Sequence, residues 1–367
     1  MEEKRKISAD VNRAVELLKV LISTPSISRE ENDAADRLQT FIERSMPVKF
    51  EMHRHMNNIW CIAPGFDAAR PTLLLDAHID TVKPTKEWTT PPFTPIVDGD
   101  KITGLGSNDD GASLVTLLMV FYYLCENPQS YNVIFLASAE EEVSGKNGIE
   151  AVIPFLPPIT CAIIGEPTAM QPAIAEKGLM VLDCVAKGVS GHAARDLGKN
   201  AIYEAMRDIE WFRNYESLNS SPLLGKVKMS VTQINAGTQH NVIPDSCSFV
   251  VDVRSNECYS NTDLLQIIRD NVGSQVEPRS LRLNSSSISL DHPLVARAVS
   301  LGLKPFGSPT LSNQALLNIP TLKMGPGDSV RSHTANEYIY ISEIEQGIKM
   351  FIEILDGLKI EQIKYAE

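Results

Sequence analysis

Short, continuously apolar runs mark the first and last thirds of the chain. They lie at residues 72–75, 132–137, 161–164 and 321–324. Other segments have apolar residues at helical spacing, at residues 11–22 and 35–42. Residues 113–125, between the first two runs, are predicted to form a long apolar helix. Short apolar runs of this kind are typical of strands that are buried on both faces. Because they alternate with helices, they predict an α/β domain, a sheet between layers of helices.

Ser28 and Glu31 have the spacing of a capping box, a motif that opens many helices. The residues that follow repeat apolar side chains at helical intervals, at Ala35, Leu38 and Ile42. We therefore predict that a helix begins at this box and buries the face that carries these three residues.

The middle of the chain has a different pattern. Residues 179–187, 227–234 and 248–254 alternate apolar and polar positions, as half-exposed strands do, and a last strand is expected near 280–283. Helical patterns cover residues 201–215 and 261–272. The order strand, helix, two strands, helix, strand predicts a ferredoxin-like α+β domain with one open sheet face. We place this inserted domain at 176–287, within a catalytic domain formed by 1–175 and 288–367.

Composition narrows the range of partners. The chain has 367 residues, with 43% hydrophobic and 22% charged, which is ordinary for a globular protein. Its net charge of −12 disfavours binding to nucleic acid. The longest apolar run, 112–125, is interrupted by Ser113 and Thr116 and is too short to span a membrane. Six dispersed cysteines without a C-x-x-C pair, and a charged start without a secretory pattern, predict a cytoplasmic protein.

Potential metal ligands follow each apolar run. His78 and Asp80 follow the first run, residues 140–142 are three glutamates after the second, Glu166 follows the third and His333 the fourth. In an open α/β sheet, ligands bind beyond the carboxyl ends of the strands. Imidazole and carboxylate donors suit a catalytic divalent ion such as zinc, which needs about three protein ligands. Asp109, before the apolar helix, is a fifth ligand candidate, and five ligands sharing one carboxylate would hold two ions.

Seven segments together resemble the co-catalytic zinc deacylases and exopeptidases, a family that includes acetylornithine deacetylase, succinyl-diaminopimelate desuccinylase and aminoacylase. The segments are 74–80 (LLDAHID), 104–109 (GLGSND), 139–142 (AEEE), 165–168 (GEPT), 191–192 (GH), 240–244 (HNVIP) and 332–337 (SHTANE). The resemblance covers nearly the whole chain and is greatest to the acetylornithine deacetylase branch. It implies a zinc-peptidase-like catalytic domain with a mixed sheet between helices.

The resemblance also implies a role for each matching position. His78 and Glu166 would bind one zinc, Glu142 and His333 the other, and Asp109 would bridge them; cobalt is an alternative metal. Asp80 would hold the imidazole of His78 by its other nitrogen, and Glu141 would be the general base. Glu140 is interpreted as structural.

The inserted domain would supply substrate contacts. The resemblance implies that His192 and Asn241 donate to the oxyanion, and Arg254 ends a predicted strand as a fork for a substrate carboxylate. Each has a structural alternative: a surface turn for His192, a turn cap for Asn241 and a solvated strand end for Arg254. An open sheet face or edge favours pairing with a second copy, so we expect a homodimer whose inserted domain also acts as a lid.

The first functional hypothesis is a hydrolase that removes an acetyl or succinyl group from an amino acid. Its expected substrates are N-acylornithine or N-acylcitrulline, in arginine biosynthesis. A dipeptidase, an aminopeptidase or a succinyl-diaminopimelate desuccinylase with the same two metals is the alternative, and a non-catalytic metal-stabilised binding protein is the third hypothesis. The sequence departs from the family pattern in two places. The loop after Asp109 is one residue shorter, which concerns the contacts that support this loop, and Asn313 replaces a common aspartate, which bears on substrate specificity.

Overall fold

A computed structural model describes the backbone of residues 2–195 and 197–361, with side chains from residue 8 onward. The chain divides into two compact units. Unit 1 comprises Met1–Ile174, Ile288–Phe306 and Ser312–Glu367, and unit 2 comprises Ala175–Ser287 and Gly307–Leu311. Within the described ranges, none of the helices has the length and apolar character needed to cross a membrane.

The helices are α1 (Glu2–Ile22), α2 (Asn32–Ser45), α3 (Gly111–Glu126), α4 (Ile149–Val152), α5 (Ala201–Asn214), α6 (Asn261–Asn271), α7 (Pro293–Ser300) and α8 (Ile341–Leu355). The strands are β1 (Glu51–His55), β2 (Asn58–Ile62), β3 (Thr72–His78), β4 (Ile96–Asp98), β5 (Lys101–Thr103), β6 (Asn132–Ser138), β7 (Cys161–Ile164), β8 (Ala173–Glu176), β9 (Met180–Lys187), β10 (Gly191–His192), β11 (Lys228–Ala236), β12 (Val242–Ile243), β13 (Ser246–Arg254), β14 (Gln275–Pro278), β15 (Ser286–Ser287), β16 (Phe306–Ser308), β17 (Thr321–Lys323) and β18 (Tyr338–Tyr340).

The sheet of unit 1 contains all four predicted apolar strands. Its order is β1-β2-β6-β3-β7-β17-β8, with β3 parallel to β6 and β7, and β17 parallel to β7. β1 and β2 pair antiparallel with their neighbours, and so does Ala173, the first residue of β8, with β17, so the sheet is mixed, as predicted. β3 extends three residues beyond its apolar run, and His78 is its last residue.

Helices cover both faces of this sheet. Leu73 and Leu75 of β3 join a core built with α1, α3 and α8, whereas Leu74 faces a second cluster that includes α4. Successive side chains of a strand point to opposite faces, so an unbroken apolar run fills both cores. α3 is buried all round and has no charged residue before Glu126, as expected for a helix in the interior of a domain.

The predicted capping box is wrong. α2 begins at Asn32, and Ala35, Leu38 and Ile42 are buried as expected. However, the Ser28 hydroxyl donates to the Asp80 carboxylate, 52 residues away, rather than capping the helix. A serine side chain bonds whichever acceptor the tertiary structure places nearest, and local spacing does not reveal a distant one.

Unit 2 contains a four-stranded antiparallel sheet in the order β11-β13-β9-β14. Alternate residues of β9 and β13 are buried in a core that also contains residues of α5 and α6, so the predicted strand and helix order is confirmed. The predicted last strand at 280–283 is wrong, because β14 lies earlier, at Gln275–Pro278. Leu281 and Leu283 alternate as strand residues do, but the Leu283 carbonyl accepts from the Leu179 amide outside the sheet.

Candidate metal centre

The carboxyl ends of four neighbouring strands supply the predicted ligands. His78 ends β3, the acidic turn Ala139–Glu142 follows β6, Glu166 follows β7, and the segment that leads to His333 follows β17. Residues of β3, β6 and β7 lie side by side, with His78 opposite Ser138 and Asp76 opposite Ile164. Parallel pairing therefore delivers side chains from distant parts of the sequence to one edge of the sheet.

The Asp109 carboxylate lies between the two predicted imidazole ligands. Its Oδ1 is 3.2 Å from Nε2 of His78, and its Oδ2 is 3.6 Å from Nε2 of His333. His333 also lies 2.9 Å from Oε2 of Glu142. One carboxylate that contacts both histidines has the placement a shared ligand needs.

Two overlapping sets of side chains can each surround a cation. One potential ligand atom from each of His78, Asp109 and Glu142 lies within 4.8 Å of the others, and the same holds for His78, Glu141 and Glu166. The structure thus brings the five predicted ligands and Glu141 together within unit 1.

Asp80 orients both His78 and the acidic turn. Nδ1 of His78 is 2.9 Å from the backbone carbonyl oxygen of Asp80 and 3.4 Å from Oδ1 of the Asp80 side chain. The same carboxylate accepts hydrogen bonds from the amides of Glu141 and Glu142, at 3.0 and 3.2 Å. The buried Asp80 therefore contacts both the imidazole of His78 and the backbone of the two glutamates, and so holds them at a defined distance from each other.

Glu337 holds the loop that carries Asp109. Its buried carboxylate accepts hydrogen bonds from the amides of Gly106, Asn108 and Asp109, at 2.8–2.9 Å. Gly106 has φ +73, and a Cβ there would lie 2.6 Å from Cγ2 of Thr81, so glycine is required. The sequence places Glu337 in a family motif, but sequence reasoning gave it no role.

The electrostatics favour a bound cation. Burial raises the pKa of Glu166 to about 8, although Lys323, 4.0 Å away, opposes the shift. Burial also raises the pKa of Glu141 well above its ordinary value. Burial lowers the pKa of His78, but hydrogen bonds to Asp109 and Asp80 outweigh it and raise the pKa well above 6.5.

His333 shows the same tendency to hold a proton. Its hydrogen bond with Glu142 raises its pKa to about 9. Burial thus favours the protonated forms of Glu141 and Glu166, and hydrogen bonds to carboxylates favour the protonated forms of both imidazoles. Bound divalent cations would replace those protons. The donors, imidazole and carboxylate, fit a catalytic zinc, cobalt or similar ion.

His192 and Asn241 are neighbours within unit 2. β10 pairs antiparallel with β12, and the Asn241 carbonyl accepts from the Ala193 amide at 3.0 Å. Both residues are exposed. Nδ1 of His192 accepts from the Ala194 amide at 3.1 Å. This contact favours the neutral tautomer with its hydrogen on Nε2, which leaves Nε2 as a donor.

Arg254 already has a partner within unit 2. Its Nε and Nη2 donate to Oδ1 and Oδ2 of Asp252, at 2.8 and 3.1 Å. A substrate carboxylate at this fork must share or replace that contact, so the predicted clamp stays a prediction.

Asn313 lies beneath the ends of β3 and β6. Its amide donates to Asp76 Oδ2 at 3.0 Å and to Ser138 Oγ at 2.9 Å, and all three residues are buried. A second carboxylate at position 313 would face Asp76 without this donor.

A mixed sheet whose parallel strands bring imidazole and carboxylate side chains to one edge fits a metal-dependent hydrolase. The profile of "Peptidase family M20/M25/M40" matches residues 74–357, most of the chain. The chain belongs to this family.

Its relatives have several specificities. The chain is 27% identical to a [LysW]-lysine/[LysW]-ornithine hydrolase of Sulfurisphaera tokodaii, over 95% of this chain and 96% of the relative. It is 28% identical to the acetylornithine deacetylase of Pectobacterium carotovorum, over 89% and 92%. It is 25% identical to the succinyl-diaminopimelate desuccinylase of Delftia acidovorans, over 69% and 70%.

Solved structures share the fold. Aminopeptidase PepT from Bacillus cereus superposes with a TM-score of 0.74 at 18% identity, covering 94% of this chain and 98% of that one. A Bacillus subtilis protein described as a dinuclear metal-binding peptidase of family M20 gives a TM-score of 0.72 at 18% identity, covering 95% and 98%. At these identities the likeness concerns the fold alone.

Proposed function

We propose that this protein is a zinc-dependent hydrolase that removes a short acyl group from the amine of an amino acid. The observation that carries the proposal is the meeting of two imidazoles with the carboxylates of Asp109, Glu142 and Glu166 at one sheet edge, beside Glu141. A single-ion site needs about three such ligands. Five ligands with a shared aspartate favour two ions.

The residues then have the following roles. We assign one ion to His78 and Glu166, the other to Glu142 and His333, and the bridging position to Asp109. When bound, the ions polarise the amide carbonyl and lower the pKa of water so that hydroxide is available near neutral pH.

The chain itself moves the proton. Glu141 accepts a proton from the attacking water on its carboxylate and passes it to the nitrogen of the leaving amine. Its position 3.9 Å from the imidazole of His78 supports this assignment, because the base then lies beside the ligand cluster. We assign Nε2–H of His192 and the side chain of Asn241 to the developing oxyanion.

The proposed substrate is N-acetyl- or N-succinyl-ornithine, or the corresponding citrulline derivative. Two relatives support ornithine, since their names include acetylornithine and [LysW]-ornithine. Arg254 is the proposed fork for the α-carboxylate. We also propose that residues 176–287 serve as a lid and pair with a second copy; sedimentation of the purified chain as a monomer at micromolar concentration would contradict the pairing.

An amine-release assay tests the function. Purified protein is incubated with the N-acetyl and N-succinyl forms of ornithine, citrulline and diaminopimelate, and with dipeptides, with and without added Zn²⁺ or Co²⁺. We expect metal-dependent release from an N-acylornithine or N-acylcitrulline. Hydrolysis of dipeptides alone, or no metal-dependent release from any of these compounds, would overturn the proposal.

A desuccinylase acting on diaminopimelate is the second candidate. It is supported by the 25% identity to the Delftia acidovorans enzyme. In the same assay it predicts that N-succinyl-diaminopimelate is preferred over every ornithine and citrulline compound.

A further inference from the structure

The backbone of the acidic turn is held by an unbroken series of side-chain acceptors. The amides of Ala139 and Glu140 donate to Asn58 Oδ1 at 2.9 Å and to Glu31 Oε1 at 3.3 Å. Those of Glu141 and Glu142 donate to Oδ1 and Oδ2 of Asp80. Four consecutive amides thus bond to side chains from three separate segments. We call Asn58, Glu31 and Asp80 the acceptor cradle.

Two members of the motif 28–31 act on this cradle. The Ser28 hydroxyl donates to Asp80 Oδ2 at 2.6 Å, and the Ser28 amide donates to the Thr81 carbonyl at 3.1 Å. Glu31 is fully buried, and its second oxygen accepts from the Asn57 side chain at 3.0 Å. Ser28 therefore fixes one cradle member, and Glu31 is itself another.

The turn needs this support because it concentrates charge. Glu140, Glu141 and Glu142 are consecutive acids, and Glu140 has φ +54, a left-handed conformation that non-glycine residues rarely adopt. Hydrogen bonds from backbone amides to carboxylates are stronger than neutral ones. Two of the three cradle members are carboxylates, so the strongest available acceptors hold the turn.

We infer that Ser28 and Glu31 are positioning residues of the active site, which hold Glu141 and Glu142 through the acceptor cradle. The inference rests on the proposed roles of Glu141 as base and Glu142 as ligand. It assigns a function to the motif whose spacing resembles a capping box. Neither residue contacts substrate in this account, because each acts through the backbone of the turn or through Asp80.

Ser28→Ala tests the first contact. Losing a residue that orients a metal ligand typically costs about 10- to 100-fold in metal affinity or activity. We expect a loss of that size in Zn²⁺ affinity, measured by competition with a chromogenic chelator, or in kcat at saturating Zn²⁺, with KM within about twofold of the wild type. Ser28→Thr keeps the hydroxyl and should restore most of the loss.

Ser45→Ala is the matched control. Ser45 is also half-buried in unit 1, and its hydroxyl bonds to the Tyr122 hydroxyl at 2.8 Å, with no part in the ligand cluster. This variant loses a comparable hydrogen bond and should keep wild-type Zn²⁺ affinity and kcat. Equal effects of the two alanine variants would show that Ser28 contributes only to general stability and would overturn the inference.

Glu31→Gln tests the contact between Glu31 and the Glu140 amide, and it keeps a side chain of similar size at this buried position. Glutamine keeps an acceptor oxygen but loses the charge that strengthens its bond to the Glu140 amide. We expect a smaller loss of Zn²⁺ affinity or kcat than in Ser28→Ala, with a folded protein verified by circular dichroism. Wild-type Zn²⁺ affinity and kcat in both Ser28→Ala and Glu31→Gln would overturn the inference.

The Zn²⁺ measurement separates this inference from the proposed function. If the wild type binds Zn²⁺ but hydrolyses none of the assayed amides, the substrate proposal fails. The change in Zn²⁺ affinity between wild type, Ser28→Ala and Ser45→Ala then still decides whether Ser28 positions the ligands.

Discussion

The predicted functional side chains of unit 1, apart from the exposed His333, are more buried than those of unit 2. In unit 1, His78, Asp109 and Glu142 are nearly buried and contact one another or other ligand candidates. In unit 2, His192 and Asn241 are exposed, and Arg254 is paired with a neighbour on its own strand. Burial and mutual contact hold the first set in place. In the second set, His192 and Asn241 are exposed to solvent, and Arg254 must share or leave its contact with Asp252 to bind a ligand.

This difference separates two requirements of an amide hydrolase. Chemistry needs groups held to within a fraction of an ångström, which parallel strands and buried hydrogen bonds supply. Substrate recognition tolerates more movement, and we propose that the exposed side chains of unit 2 serve it. Relatives with different substrate names on one fold are consistent with this division.

Metal removal gives the largest expected contrast between the units. Dialysis against a chelator should abolish amide hydrolysis, and added Zn²⁺ should restore it. In hydrogen exchange, the amides of residues 139–142 should lose protection without metal, because the turn then loses the metal contact proposed for Glu142. Amides of β9 and β13 should not change, and an equal loss in both units would contradict the comparison.

Glu141→Gln comes next. Removing a general base costs about 10³-fold in kcat, and glutamine preserves the size of the side chain. Metal content, measured by mass spectrometry, should stay at the wild-type value. Glu43→Gln, on the exposed surface of α2, is the control for loss of a carboxylate. Retained turnover in Glu141→Gln would remove this residue from its role.

His192→Ala asks whether unit 2 takes part in the chemistry. If His192 donates to the oxyanion, its loss should lower kcat about 10²-fold. If it only lies in a surface turn, kcat should hardly change. His240→Ala, which removes another exposed histidine of the same unit, should have wild-type kcat. If both variants behave alike, His192 is a surface residue.

Arg254→Ala should have the smallest effect, and on a different constant. Losing a charged fork should raise KM for carboxylate-bearing substrates about tenfold and leave kcat nearly unchanged. Asp252→Asn is the variant to compare with it. It weakens the present contact of Arg254, so KM should be equal to or lower than that of the wild type. A raised KM in Asp252→Asn with an unchanged KM in Arg254→Ala would contradict the clamp.

Four strands of the unit 1 sheet, β3, β6, β7 and β17, were predicted from the sequence because their signals are local. Short unbroken apolar runs such as 161–164 favour a buried strand, and the ligand candidates follow these runs. The edge where those ligands meet then follows from parallel pairing. β14 was missed because Val276 is its only buried residue, so its alternation is too short to detect.

The supporting contacts could not be predicted because their partners are distant in sequence. Ser28 bonds Asp80, Asn58 bonds the amide of Ala139, and Glu337 bonds the loop of Asp109. A serine three residues before a glutamate favours a cap by local spacing, and only the folded chain offers the competing acceptor. Asn58 had no signal at all.

The adjacency of Glu141 and Glu142 on one short turn has a consequence for how this enzyme can change. A shift of that backbone would displace the proposed proton acceptor and a proposed metal ligand together, so a single substitution there would alter catalysis and metal binding at once. Substitutions at exposed positions between residues 175 and 287 are therefore expected to change substrate preference with less effect on metal binding.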